Sequence, residues 1–287
     1  MANTIRSITR VKGFNDAEMD FQLLRQLGSA NYGGASIGET LFCIARMERE
    51  DADEWVDKFL NLANNQELDA ISRLHKHHYI SSSEQFLKAA NSYRSVEYFI
   101  HSNKPEHKQY GLKSRECFLN YLKLTTYHFQ ANFIAHNNQQ LPYYIISPDK
   151  EKILRKTILI ISGFDGTLEE SFISYGIAAI ERGYNVICFA GPGQMDSVRF
   201  NPQTYFEPNF EVPVTILLDE IERLYKWVDL NKLALMGISF GGYFASRAAC
   251  YEPRVKALIA NSPIINLCSY ILGFADNEGS NFQDFSY

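Results

Sequence analysis

The spacing of apolar positions changes near the middle of the chain. Upstream of about residue 138 they recur every three or four residues, the period that gathers side chains on one face of an α-helix. Glu39–Leu62 places Leu41, Ile44, Ala45, Met47, Trp55, Phe59 and Leu62 in this way and predicts one amphipathic helix behind a Gly33-Gly34 loop. Residues 66–80 carry a second helical pattern, Ser83–His101 a third, and, after an interruption at Pro105, Lys113–Ala135 a fourth. Beyond the polar break Asn137-Asn138-Gln139-Gln140 the period shortens. Leu141–Ile146, Thr157–Ile161, Tyr184–Phe189, Lys232–Met236 and Val255–Ala260 read as strands, with helices predicted over 168–182, 211–228 and 242–251. A run such as Thr157–Ile161, apolar throughout, suits a strand covered on both faces of a parallel sheet. Strands alternating with helices imply βαβ units and a doubly wound, mostly parallel sheet, hence an α/β fold preceded by an all-helical region. The expected division is 1–138, a helical region packing on the core and lining one side of a pocket, and 139–287, the sheet-bearing core.

Composition narrows the function classes. A hydrophobic share of 46% and a charged share of 21% belong to an ordinary globular chain. The formal net charge of −5, without a basic block, gives no electrostatic footprint for nucleic acid or an anionic membrane. No apolar run approaches the roughly 18 residues that span a bilayer, and the N-terminus lacks the apolar core of a signal peptide. Five scattered cysteines fit reduced thiols, so a cytoplasmic location is expected. Cys188 and Cys250, in a predicted strand and helix, read as buried packing thiols.

The chemistry concentrates in Leu233–Cys250, LALMGISFGGYFASRAAC. An apolar strand, Gly237-Ile238-Ser239-Phe240-Gly241-Gly242 and a helical pattern make a G-x-S-x-G nucleophile elbow in the context it requires. Ser239 is the candidate catalytic nucleophile. The tight strand-to-helix turn exposes its hydroxyl, and the elbow glycines Gly237, Gly241 and Gly242 leave room where side chains would collide. The N–H of Phe240 is one expected oxyanion donor, beside the positive end of the following helix. Ser162-Gly163-Phe164-Asp165-Gly166-Thr167 follows the Thr157–Ile161 strand, so the second donor falls on Phe164. Thr167 and Glu170 have capping-box spacing for the helix beyond.

Other motifs carry less. Gly191-Pro192-Gly193-Gln194 lacks the third glycine of a dinucleotide fingerprint, and no helix is expected directly after it. Leu74-His75-Lys76-His77-His78 offers two histidines on one helical face, short of the three or four convergent ligands of zinc, and reads as a solvated helix end. No cofactor and no metal are expected.

Together, Gly163 to Ser171, Gly191 to Gln194, the Gly237 to Gly242 elbow and Glu252-Pro253-Arg254-Val255 resemble a branch of the α/β-hydrolases. That branch includes the dihydropseudooxynicotine hydrolases, the fungal polyketide-shortening hydrolases and the fermentation-respiration-switch esterase-like proteins. The resemblance covers roughly residues 83–270. It implies a helical region on an α/β-hydrolase core and cofactor-free hydrolysis of C–C or ester bonds by a Ser-Asp-His triad. The implied partner is a small hydrophobic carbonyl substrate, with no nucleic acid and no membrane, and a homodimer as the candidate assembly.

One feature departs from that pattern, whose order is Ser, then Asp or Glu, then His. All seven histidines, His75, His77, His78, His101, His107, His128 and His136, precede Ser239. The triad acid and base are therefore expected to be absent from this chain, and the last strands of the sheet with them. A truncated chain is the expectation, residues 268–287 resembling the start of a cap insertion. Two alternatives stay open: His136 or His128 reaches Ser239, or the chain is a catalytically inactive, hydrolase-like ligand-binding protein.

Overall fold

The structure, a computed structural model, describes residues 10–270 and residue 272. They fall into two compact units, one of residues 10–125 together with 268–270 and 272, the other of residues 126–267.

The first unit is helical: α1 (Ala17–Gly28), α2 (Ile37–Ile44), α3 (Ala52–His75), α4 (Tyr79–Tyr98) and α5 (Pro105–Lys123). Trp55 and Phe59 stack with ring centroids 4.2 Å apart, and Phe14 and Phe99 pack tilted against Trp55 at 5.8 and 5.1 Å. The single helix expected over Glu39–Leu62 is two. Asp51 caps α3 by accepting the Glu54 N–H, while the Glu54 carboxylate accepts from Glu48 and Arg49 N–H. The Asp51 cap, with the Glu54 carboxylate gathering the two N–H groups before it, turns the backbone where the apolar period alone runs straight through. The pattern over residues 66–80 is mainly the end of α3 rather than a separate helix; His75 is its exposed last residue, and His77 and His78 lie exposed in the turn that follows.

The second unit holds a six-stranded mixed sheet. Its strands are β1 (His128–His136), β2 (Gln139–Ser147), β3 (Arg155–Ile161), β4 (Asn185–Phe189), β5 (Val228–Ile238) and β6 (Val255–Asn261). Their order is β1-β2-β4-β3-β5-β6, with β1/β2 and β2/β4 antiparallel and the rest parallel. Three short turns, α6 (Leu168–Ser171), a π-turn (Phe172–Gly176) and α7 (Ile177–Glu181), occupy the predicted 168–182 helix. The remaining helices are α8 (Met195–Phe200), α9 (Glu211–Leu224) and α10 (Phe240–Tyr251).

The fourth helix, expected to reach Ala135, ends at Lys123, and residues 128–136 form β1 instead. Asn137 and Asn138 have φ of 47° and 62°, the two left-handed positions of a tight hairpin turn, and β1 pairs with β2 through it. The apolar residues of 129–134 fit either period, so the turn decides, and it moves the unit boundary from 138 back to 125. The α9 helix stops at Leu224 and not at 228, because Val228 already pairs with Arg155.

Alternate strand residues divide between two layers. Leu141, Tyr143, Ile145, Leu159, Ile161, Ile187, Phe189, Leu233 and Leu235 join the α9 and α10 side chains in one buried cluster. Tyr144, Ile146, Ile160, Val186 and Cys188 are equally buried on the opposite face, where α6 to α7 pack on β4. At β6 the cover thins: residues 256–261 are exposed among the described residues. The residues suggested as the start of a cap, 268–287, lie outside the described residues except for 268–270 and 272. No helix among the described residues is long and apolar enough to cross a membrane.

Candidate active site

The strand order explains where chemistry gathers. From β3 the chain crosses to β4 on one side and later returns through β5 on the other, so the loops leaving β3 and β5 diverge from adjacent carboxyl ends. A crevice at such a reversal is where open α/β sheets bind ligands. Ile161 is in register with Gly237, which brings residues 162–164 level with the 238–240 turn.

Ser239 has φ 56° and ψ −120°, a combination that L-residues avoid, and it is half-buried between β5 and α10. Neighbours on both sides hold it there. Its N–H donates to Asn261 O at 2.9 Å, and its carbonyl accepts from Gly242 N–H at 2.9 Å and Ile264 N–H at 3.4 Å. The bend also needs the elbow glycines. A Cβ on Gly237 would stand 2.1 Å from Gly241 O, one on Gly241 2.2 Å from Ser162 O, and one on Gly242 2.9 Å from Pro263 Cα. Replacing Ser239 by glycine removes the hydroxyl and the Cβ that make this conformation unfavourable. Ser239→Gly is therefore expected to be more stable than Ser239→Ala by about 1 kcal/mol in urea melts, the reverse of the usual Gly/Ala order.

The β3 loop meets this turn directly. The site a Gly163 Cβ would fill lies 3.3 Å from Ser239 Cβ and 3.7 Å from Ser239 Oγ. Phe164 and Phe240, the residues expected to supply the two oxyanion N–H groups, stack their rings at 4.3 Å with 13° between planes. Phe206 packs edge-on to both at 5.1 Å. Phe240 is buried, whereas Phe164 is 38% exposed, so the outer member of the stacked pair is partly open to solvent. Phe240 also heads α10, where the first N–H groups have no intrahelical acceptor. Thr167 caps α6 by accepting the Glu170 N–H, as its spacing predicts.

Neither His136 nor His128 supplies the general base. His136 and His128 sit on β1, and β2, β4 and β3 separate it from β5, about 19 Å at the usual strand spacing. His136 instead pairs with Glu207 at 2.8 Å. Ser239 Oγ has no side-chain hydrogen-bond partner among the described residues. Glu252 lies at the far end of α10, its carboxylate bound by Arg254 and by Thr215 Oγ1, contacts that hold its pKa below the usual carboxylate range.

Two features below the site were not legible as functional. The helix expected to be missing after Gly191-Pro192-Gly193-Gln194 opens at once, at Met195. The Gln194 side chain, fully buried, binds the β3 loop: Nε2 donates to Ser162 O at 2.6 Å and to Gly163 O at 3.3 Å. Arg199, on α8, lies within 2.6 Å of Asp196 and 3.2 Å of Glu169, all three buried. Asp196 in turn accepts the Leu168 N–H that starts α6, and Tyr144 OH donates to Glu169. Burial, and then the Glu169 and Asp196 carboxylates, push the Cys188 thiol well above its ordinary range, so it stays protonated and inert. Cys250, expected to be buried, is exposed on the outer side of α10. A cleft of about 360 Å³ lies elsewhere, beside β1 and α9, lined by Phe133, Ile134, Ile216, Asp219, Glu220 and Arg223, without a serine or cysteine.

No family profile matches the chain. It is 27% identical over 268 residues to the hydrolyase poxO of Penicillium oxalicum, an alignment covering 90% of this chain and 63% of poxO. It is 28% identical over 257 residues to the α/β hydrolase xenA of Xenoacremonium sinensis, covering 86% of this chain and 60% of xenA. Among solved structures it superposes on the 2,6-dihydroxy-pseudo-oxynicotine hydrolase with a TM-score of 0.68 at 21% identity, over 80% of this chain and 62% of that one. It superposes on AbyA5 with a TM-score of 0.63 at 14% identity, over 87% and 63% of the two chains. The chain thus spans about three fifths of the length of the curated relatives it matches.

Proposed function

We propose that this chain, which belongs to the α/β-hydrolase superfamily, carries the nucleophile and oxyanion donors of a serine hydrolase that cleaves an ester, or a C–C bond next to a carbonyl. The observation that carries the proposal is the Ser239 backbone at φ 56°, ψ −120°, with the Gly163 loop against its side chain. A strained turn of this kind persists where the surrounding contacts over-determine it, and here its effect is to present one hydroxyl at the crevice. Ser239 Oγ attacks the carbonyl carbon and the C=O pair moves to oxygen, where the Phe240 and Phe164 N–H groups hold the negative charge. Collapse expels the alcohol, or a carbanion that takes up a proton, and leaves an acyl-serine that water then hydrolyses. The Ser239 proton passes to a base that neither His136 nor His128 supplies. The exposed Phe164 ring and the aromatic residues behind it favour a small hydrophobic carbonyl compound as substrate.

The lack of any side-chain partner for Ser239 Oγ among the described residues favours a second reading, a hydrolase-like protein that binds such a compound without turning it over. A fluorophosphonate, whose phosphorus is attacked as the carbonyl carbon would be, separates the two. The expected result is a covalent adduct mapped by mass spectrometry to Ser239 and lost in Ser239→Ala. A folded chain that binds a hydrophobic ester yet shows no Ser239 adduct after prolonged incubation sinks the nucleophile proposal and leaves the binding one.

A further inference from the structure

We infer that Gln194 is a positioning residue whose side-chain amide locks the peptide groups of residues 162–164, and so sets the direction of the Phe164 N–H. This rests on the reading of Phe164 as an oxyanion donor.

Gln194 is 0% exposed, stands at the N-cap position of α8 without a side-chain bond to that helix, and turns both ends of its amide to main-chain groups of the loops. Its Oε1 accepts from Gly191 N–H at 2.8 Å. Its Nε2 donates to Ser162 O at 2.6 Å and Gly163 O at 3.3 Å, with Ser162 Oγ at 3.4 Å. The orientation is fixed by this set, because a reversed amide would set an N–H against the Gly191 N–H and an oxygen against two carbonyls. A trans peptide points its C=O and N–H in opposite directions. Holding Gly163 O toward Gln194 therefore holds the Phe164 N–H away from it, and holding Ser162 O does the same for the Gly163 N–H.

That constraint matters because Gly163 has no Cβ to restrict its dihedrals. A freed 163–164 peptide could rotate and offer a carbonyl to the site, where it would repel the oxyanion. The other internal tie of the loop, Ser162 Oγ to Gly166 O at 2.8 Å, leaves this peptide unrestrained. Gln194 lies 32 residues from Ser162, and its main-chain partners stand on the loops leaving β3 (Ser162 and Gly163) and β4 (Gly191), so one side chain couples two strand ends.

The test compares Gln194→Glu, whose carboxylate accepts from Gly191 but cannot donate to the two carbonyls, with Gln194→Met, which keeps the bulk and loses every bond. Gln66→Met is the control, a buried glutamine of the helical unit bonded to Ser92 and Glu39. Hydrogen exchange is read by mass spectrometry on peptides covering 162–167, and the rate of Ser239 phosphonylation is read on the same samples. Both Gln194 variants are expected to exchange at least about tenfold faster at 163–164, with β3 and α10 interiors unchanged, and to label at least about tenfold more slowly. Unchanged exchange at 163–164 overturns the proposal, whatever the labelling does. Faster exchange spread evenly over β3, β4 and β5 also overturns it, since Gln194 would then be a general stabiliser. If the parent chain takes no label at Ser239, the nucleophile reading fails, and the exchange comparison still decides whether Gln194 holds the loop.

Discussion

Gly241→Ala is expected to open the contact between the elbow and the β3 loop, and to cost both stability and reactivity at Ser239. The added Cβ would lie 2.2 Å from Ser162 O, 2.5 Å from Ile161 O and 2.8 Å from Ser162 C, all main-chain atoms. None can rotate aside as the end of a long side chain would, so α10 and the β3 loop must separate by about 1 Å to restore van der Waals distance. Overpacking of this kind typically costs 1–3 kcal/mol, and with backbone as the obstruction the upper figure of about 3 kcal/mol applies. For a unit of this size that lowers Tm by roughly 6–12 °C. The chemical effect is larger, because the same movement carries Phe164 away from Ser239, and a misplacement of about 1 Å is worth on the order of 100-fold in rate. Gly38→Ala is the matched control: no atom lies within 4 Å of its Cβ site in α2, so it should stabilise by about 1 kcal/mol. Calorimetry and Ser239 labelling check both outcomes. A Gly241→Ala protein that melts and labels like its parent would mean the close approach does not exist.

Arg199→Met should be the most destabilising single change of charge in the second unit. Arg199, Asp196 and Glu169 are all buried, and removing the cation leaves two carboxylates in contact with little water. Breaking one side of a buried ion pair costs about 3–5 kcal/mol, mostly because the charge left behind has lost its compensation. The damage is directed as well as large. Asp196 receives the Leu168 N–H immediately after the 162–167 loop, and Glu169 receives the Tyr144 hydroxyl from β2, so the cluster fastens α6 and α8 under the site. Denaturant melts of Arg199→Met, and of Arg199→Met combined with Glu169→Gln and Asp196→Asn, test this. The triple variant should recover a substantial part of the loss, because neutral amides no longer demand a cation. If it is less stable than Arg199→Met by the sum of two further independent losses, uncompensated charge is not the cause.

How much of this was legible in the residues differs from element to element. The 233–250 stretch specified its own bend, since strand, tight turn and helix are set by neighbours within a few positions and by glycines at 237 and 241. The Thr167 cap was visible for the same reason. Where two local signals competed, the period misled. The apolar positions of 113–135 fit a helix until the Asn137-Asn138 turn folded 128–136 onto β2, and those of 39–62 did so until the Asp51 and Glu54 cap broke them.

The alternation of elements, the strained serine and the loop able to face it were determined by the sequence alone, because each depends on residues adjacent in the chain. The tertiary structure decided which loops stand together. Only the order β4-β3-β5 sets Phe164 against Phe240, keeps His136 and His128 strands away from Ser239, and brings Gln194 across 32 residues to two carbonyls. Those are pairings between distant segments, chosen by which faces must be buried and which buried amides and charges must find partners, and no periodicity along the chain encodes them.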